Sequence, residues 1–136
     1  MPPTYTIPYQ EIKFISNTHG NFVKKYSNKE DSSHYIIRYI KNKLEDDESM
    51  NLYGKYRSVI IHNESNNVMG FSPPKSKNID EFMKTNDFSS VEVEELVEGT
   101  MINLFFDQNK QEWDIATKSN IGGRNKFVQE EDVKTF

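Results

Sequence analysis

A chain of 136 residues with 35% hydrophobic and 28% charged residues is long enough for one domain around one core. Its formal net charge of -4 and pI near 5.4 give it no overall basic footprint for nucleic acid. With no cysteine, it has neither disulfides nor thiolate zinc sites, and His19, His34 and His62 are too scattered to suggest a histidine-based one.

Mean hydropathy is -0.81, yet 9 Phe and 7 Tyr offer large side chains to bury, so a folded domain with polar loops is expected. No run approaches the roughly 20 apolar residues that span a bilayer. The N-terminus MPPTYTIPYQEIK lacks a basic-then-apolar leader pattern. The expectation is a protein with no membrane partner, not secreted, working in the cytoplasm or in a virion.

In chain order, Pro2, Pro3 and Pro8 make residues 1–10 an extended arm, and residues 11–136 form a single domain. EIKFIS alternates like a strand, NTHGN is a turn, and FVKKY completes a hairpin. SNKEDSS is a loop. HYIIRYIKNKL fits helical spacing at Ile36, Ile37, Ile40 and Leu44, but its Tyr and Ile density favours a strand over 34–40. EDDESMN is an exposed acidic link with room for a short helix.

YRSVIIHN, ESNN and VMGFSPP read as strand, turn and return strand, stopped by the prolines. NIDEFMKTN is a short helix capped by Asn78 or Asp80. SSVEVEELV alternates as a strand, TMINLFFD is another, and EWDIATKS pairs with it across DQNKQ. NIGGRNKF is a bend, and VQEEDVKTF opens a helix. The sum is an α+β domain, mainly antiparallel β-sheet with a few short helices. Trp113, Met101, Ile102, Leu104 and Phe105 are its candidate core. Two basic clusters, Lys24–Lys25–Lys29 and Lys110–Lys118–Arg124–Lys126, read either as solvated surface or as phosphate contacts.

The stretch ELVEGTMINLFFDQ, residues 95–108, joins an acid, a glycine and a small hydroxyl residue to a hydrophobic strand. Enzymes that activate nucleic-acid ends with ATP place a lysine two residues before such an acid; its amine attacks the α-phosphate. Cations crowd that site to lower the lysine pKa and cancel phosphate charge, and a glycine lets backbone approach the nucleotide. Taken in order, Tyr56-Arg57-Ser58-Val59-Ile60, Phe71-Ser72-Pro73-Pro74-Lys75-Ser76, Leu96-Val97-Glu98-Gly99-Thr100 and Thr117-Lys118-Ser119-Asn120-Ile121-Gly122 resemble the N-terminal part of the bacteriophage-type RNA ligases, covalent nucleotidyltransferases. The resemblance covers roughly residues 30–125.

It implies an adenylation-domain fold, ATP and Mg2+ as cofactors, and a nucleotide or RNA as ligand. It also assigns roles. Arg57 contacts phosphate, Lys75 is an auxiliary cation, Glu98 stands for the motif aspartate, Gly99 admits the nucleotide, and Lys118 is a second basic position. Leu96 takes the seat of the nucleophilic lysine, so no catalytic residue is assigned and no metal ligand is named. Lys84, the nearest upstream lysine, falls in a helix-like segment and is a poor replacement. The resemblance implies further motifs past Phe136, which makes the domain incomplete at its C-terminus.

Read residue by residue, Arg57 before a strand is more often a surface ion-pair partner than a phosphate ligand, Glu98-Gly99 reads also as a strand-entry turn, and Lys118 as an edge-strand lysine. Three functions remain open: a degenerate ligase-like nucleotide binder, a structural or interaction protein (as in a large DNA virus) with protein partners or self-association, and a fragment of an active ATP-dependent RNA ligase.

Overall fold

Ile36 and Ile37 in 34–39, and Ile60 beside Val59 and Ile61 in 59–62, put apolar residues on both faces, so these strands need cover on both sides. The computed structural model describes residues 7–18, 20–27 and 33–122, apart from the side chains of 16 and 18, and it supplies that cover. Helix α1 (Tyr9–Thr18) leads into strands β1 (Val23–Ser27) and β2 (His34–Tyr39). Helix α2 (Asp47–Tyr53), strands β3 (Val59–His62) and β4 (Val68–Phe71), and helix α3 (Ile79–Thr85) follow. Strands β5 (Asn103–Asp107) and β6 (Glu112–Ala116) come last. Short 3-10 turns lie at Lys41–Lys43 and Phe88–Ser90. The described chain is thus α+β, with antiparallel sheets and three short helices.

Strands β1 to β4 form one antiparallel sheet in sequence order, and β5 and β6 form a separate two-stranded sheet. The β2–β3 register pairs Ile36 with Ile60 and Ile37 with Val59, so each pair shares a face. Ile37, Val59 and Ile61 pack with Ile12, Ile15, Leu44, Tyr53 and Tyr56 beneath α1 and α2. Ile36 and Ile60 face the other way and pack with Phe105, Ala116 and Ile121 of the β5–β6 hairpin. The hairpin is therefore the second layer.

Local chemistry explains most elements. Asp46 and Ser49 form a reciprocal capping box at the start of α2, with Ser49 N–H donating to Asp46 Oδ1 at 2.6 Å. Asn78 caps α3 by accepting from Asp80 N–H at 2.9 Å. The β3–β4 turn places Asn66 at φ 57, a conformation asparagine tolerates.

Four expectations are corrected. EIKFIS is helical: Ile12 and Ile15, three apart, are the buried pair, and Phe14 is 59% exposed. Glu11 fixes that helix by accepting from the Tyr56 hydroxyl at 2.6 Å and pairing with Lys55. The helix starts at Tyr9, so residues 9 and 10 belong to it and not to an extended arm; the rest of that arm before Ile7 lies outside the described residues. SSVEVEELV is not a strand: after the turn at Phe88–Ser90 the chain runs without regular structure to Ile102. Alternation alone does not make a strand when no partner strand supplies its hydrogen bonds. Of the candidate core, only Phe105 is buried; Trp113 is 65% and Leu104 63% exposed, because they occupy the outer face of a two-stranded sheet. The turn at His19, most of the loop over 27–33, the second half of the bend over 120–127 and the helix over 128–136 lie outside the described residues.

Candidate anion-binding site

The interface between the two sheets has an apolar centre and two polar ends. At one end, three elements converge. Strand β2 carries Arg38 on the face it shares with His34 and Ile36. Arg57 precedes β3. Lys118 and Ser119 sit on a turn after β6, closed by Thr117 N–H donating to Asn120 O at 2.8 Å and Gly122 N–H donating to Ile115 O at 2.8 Å. With Gly99, Thr100, Met101 and Thr117 these residues line a cavity of about 350 Å³.

A buried polar knot holds the walls in place. Ser58 and Ser72 are fully buried, and both contact Asn103. The Asn103 side-chain amide donates to Ser58 Oγ at 3.3 Å and to Ser72 Oγ at 3.1 Å. Ser72 N–H also donates to Ser58 O at 2.9 Å. These bonds tie the start of β3 to the start of β5, which sets Arg57 against the 99–101 segment. Gly99 itself has φ +154, where a side chain is strained, although an added Cβ would meet no atom within 4 Å.

No carboxylate lines this cavity, and none of Arg38, Arg57 and Lys118 has an ion pair among the described residues. Arg38 Nη1 donates to Ser119 Oγ at 3.3 Å. Its Nε is shut off from solvent with no hydrogen-bond partner among the described residues. Burial lowers the Lys118 pKa from its ordinary value, and the charges of Arg57, Arg38 and Lys41 lower it further. The arrangement stores positive charge that an anion would relieve.

A second cavity of about 660 Å³ adjoins the first and shares Arg57, Gly99, Thr100 and Met101 with it. Leu96, Val97 and Glu98 line the remainder. Leu96 is 87% exposed at that wall. Lys75 stands apart: its backbone N–H donates to Gly54 O at 2.9 Å, and it borders a different groove with Pro74, Lys77, Ile79 and Phe82. Of the five residues expected at the site, four therefore border one continuous cleft and Lys75 does not.

Arg38 escaped the sequence reading, although a signal was present. It is the one cation in phase with the buried positions His34 and Ile36 of a strand. The basic cluster near the C-terminus divides: Lys110 sits at the opposite end of β6 from Lys118, within reach of Asp107 and Asp114 at 3.6 and 3.5 Å. Arg124 and Lys126 lie outside the described residues. Lys24 and Lys25 lie over the rings of Tyr26 and Tyr35, and Lys29 is outside the described residues.

Phosphate groups fit the cavity by charge. Among the described residues Glu98 is the sole carboxylate lining either cavity, so magnesium would take its other oxygen ligands from phosphate and water. Among the described residues no helix is long and apolar enough to cross a membrane. No protein-family model, curated protein or solved structure matches the chain.

Proposed function

We propose that the chain is an RNA ligase-like nucleotidyltransferase domain, catalytically degenerate, that binds a nucleotide or an RNA end through its phosphate. The carrying observation is the meeting of Arg57 and Lys118, both expected from sequence, with Arg38 around a cavity that no carboxylate among the described residues lines. Cations gathered this way attract phosphate by charge and by charge-assisted hydrogen bonds. Gly99 and Thr100 bring backbone and a hydroxyl to the same wall.

The degenerate reading rests on position 96, where the resemblance puts the nucleophile. A leucine side chain has no lone pair to attack phosphorus, so no nucleotidyl phosphoramidate forms there. The domain is a binder in place of the nucleotidyl carrier its relatives by resemblance would be.

Incubation with magnesium and α-labelled ATP, followed by denaturation, tests both halves. The reading expects saturable ATP or RNA-end binding before denaturation and no label retained after it. Retained acid-labile label would mean that a lysine other than residue 96 is the nucleophile, the active-fragment reading. Absence of binding to either ligand would leave an interaction protein. That second reading draws on the outer face of the β5–β6 hairpin, where Leu104, Phe106 and Trp113 are exposed.

A further inference from the structure

Resting on the nucleotide-binding reading, we propose that Arg38 makes the cavity selective for two or more adjoining phosphate groups over a single one. The three cations reach the cavity from three separate elements: β2, the entry to β3 and the turn after β6. They thus come from three parts of the fold and not from one segment. A phosphodiester, with one negative charge, would leave two of them unbalanced. A terminal phosphate carries about two charges at pH 7 and still falls short. A diphosphate or longer chain matches the count of the three lining cations.

Size agrees. The volume of about 350 Å³ corresponds to roughly a dozen waters at their liquid share of about 30 Å³ each. That is room for several phosphate groups, more than a single one needs.

Arg38 is the residue that adds the extra capacity. A guanidinium offers five N–H donors in a fixed fork, and the cavity wall engages Arg38 only through the 3.3 Å bond from Nη1 to Ser119 Oγ. Ser119 thus orients the fork and leaves the remaining Nη donors for a ligand, while the buried Nε stays outside the exchange. Arg57 and Lys118 would suffice for one phosphate.

Two sources carry this chemistry: a free nucleoside di- or triphosphate and the 5′-triphosphate end of an RNA. The test measures equilibrium affinities of the full chain for AMP, ADP and inorganic pyrophosphate. The same oligonucleotide bearing a 5′-monophosphate or a 5′-triphosphate completes the set. Wild type is expected to bind ADP about tenfold or more tightly than AMP, the scale of one charge-assisted hydrogen bond. In Arg38→Gln the ratio should fall to about threefold or less. Arg38→Lys, which keeps charge but loses the fork, should fall between and serves as the test if the glutamine variant does not fold. A 5′-triphosphate oligonucleotide that outbinds ADP by about tenfold identifies RNA as the source; equal affinity identifies the nucleotide. If wild type binds AMP and ADP alike, or Arg38→Gln weakens both equally, the selectivity claim is overturned while nucleotide binding stands. If nothing binds, both fall together.

Discussion

The two polar ends of the inter-sheet interface are built from similar parts and handle charge in opposite ways. At one end Asp107 is 1% exposed, and its Oδ1 accepts from the N–H groups of Asn109 at 2.9 Å and Lys110 at 3.2 Å. Its Oδ2 lies 3.7 Å from His34 Nε2 and 3.6 Å from Lys110 Nζ. Beside it, His62 Nε2 is 2.5 Å from the Asn109 side-chain amide, and Ser65 N–H donates to Nδ1 at 3.2 Å. Every strongly charged group there meets its opposite. At the other end Arg38, Arg57 and Lys118 meet one another, the charge of Lys41 and the Ser119 hydroxyl, with no carboxylate partner among the described residues. A fold gains nothing from gathered like charges, so the compensated end serves stability and the uncompensated end is the one proposed to take a ligand.

The sharpest way to break this comparison is to remove one charge from each end. Asp107→Ala should destabilise the fold by about 3 kcal/mol, because it strips a buried partner from His34 and from the turn amides. Lys118→Gln should leave stability within about 0.5 kcal/mol or raise it, since it relieves repulsion. Urea unfolding of both variants checks the pair. Equal losses would erase the distinction between the ends.

Acid and alkali sharpen it. Burial alone would raise the Asp107 pKa. The Lys110 and Asn109 N–H groups, with the charges of His34 and Lys110, outweigh that and hold it below the usual carboxylate value. A depressed carboxyl contributes stability that is present above its unfolded pKa and is lost as pH falls through the folded one. Asp107→Asn should therefore flatten part of the acid limb of a stability profile. Lys118 has the opposite sign. Its folded pKa lies below the ordinary value of 10.5, so its charged form opposes folding at neutral pH. That penalty is relieved as pH rises through the folded pKa toward 10.5. Lys118→Gln should abolish this alkaline gain, measured by thermal unfolding across pH.

A smaller effect tests the shared wall. Gly99→Ala should cost about 1 to 2 kcal/mol from its backbone conformation, with no steric contribution from neighbours. Its loss of nucleotide affinity should be milder than that of Arg57→Gln, a difference that titration of both variants would resolve.

Part of this was legible before any coordinates. Strands with a paired neighbour close in sequence read correctly: the hairpins β3–β4 and β5–β6 carry their turns with them. Helix α3 announced itself through Asn78. Segments whose partners lie far away did not. EIKFIS alternates at Ile12 and Phe14, but Ile12 and Ile15 are the residues the sheet buries, and only the sheet decides that. VEVEELV has the pattern of a strand and no partner among the described residues. The apolar outer face of β5–β6 looks like core because composition cannot say which side of a hairpin meets a second layer. Arg57, Glu98, Gly99 and Lys118 could be singled out from sequence because each is local to a turn or strand entry, and they line the two adjoining cavities. Arg38 was not, since its meaning depends on a turn 81 residues away.

The most direct test follows backbone amide signals by NMR while ADP is titrated into the full chain. The comparison predicts saturable shifts at Arg38, Gly99, Thr100, Lys118 and Ser119, with His34, His62 and Asp107 unmoved. Shifts centred on the His34–Asp107 end, or none at either end, would contradict it.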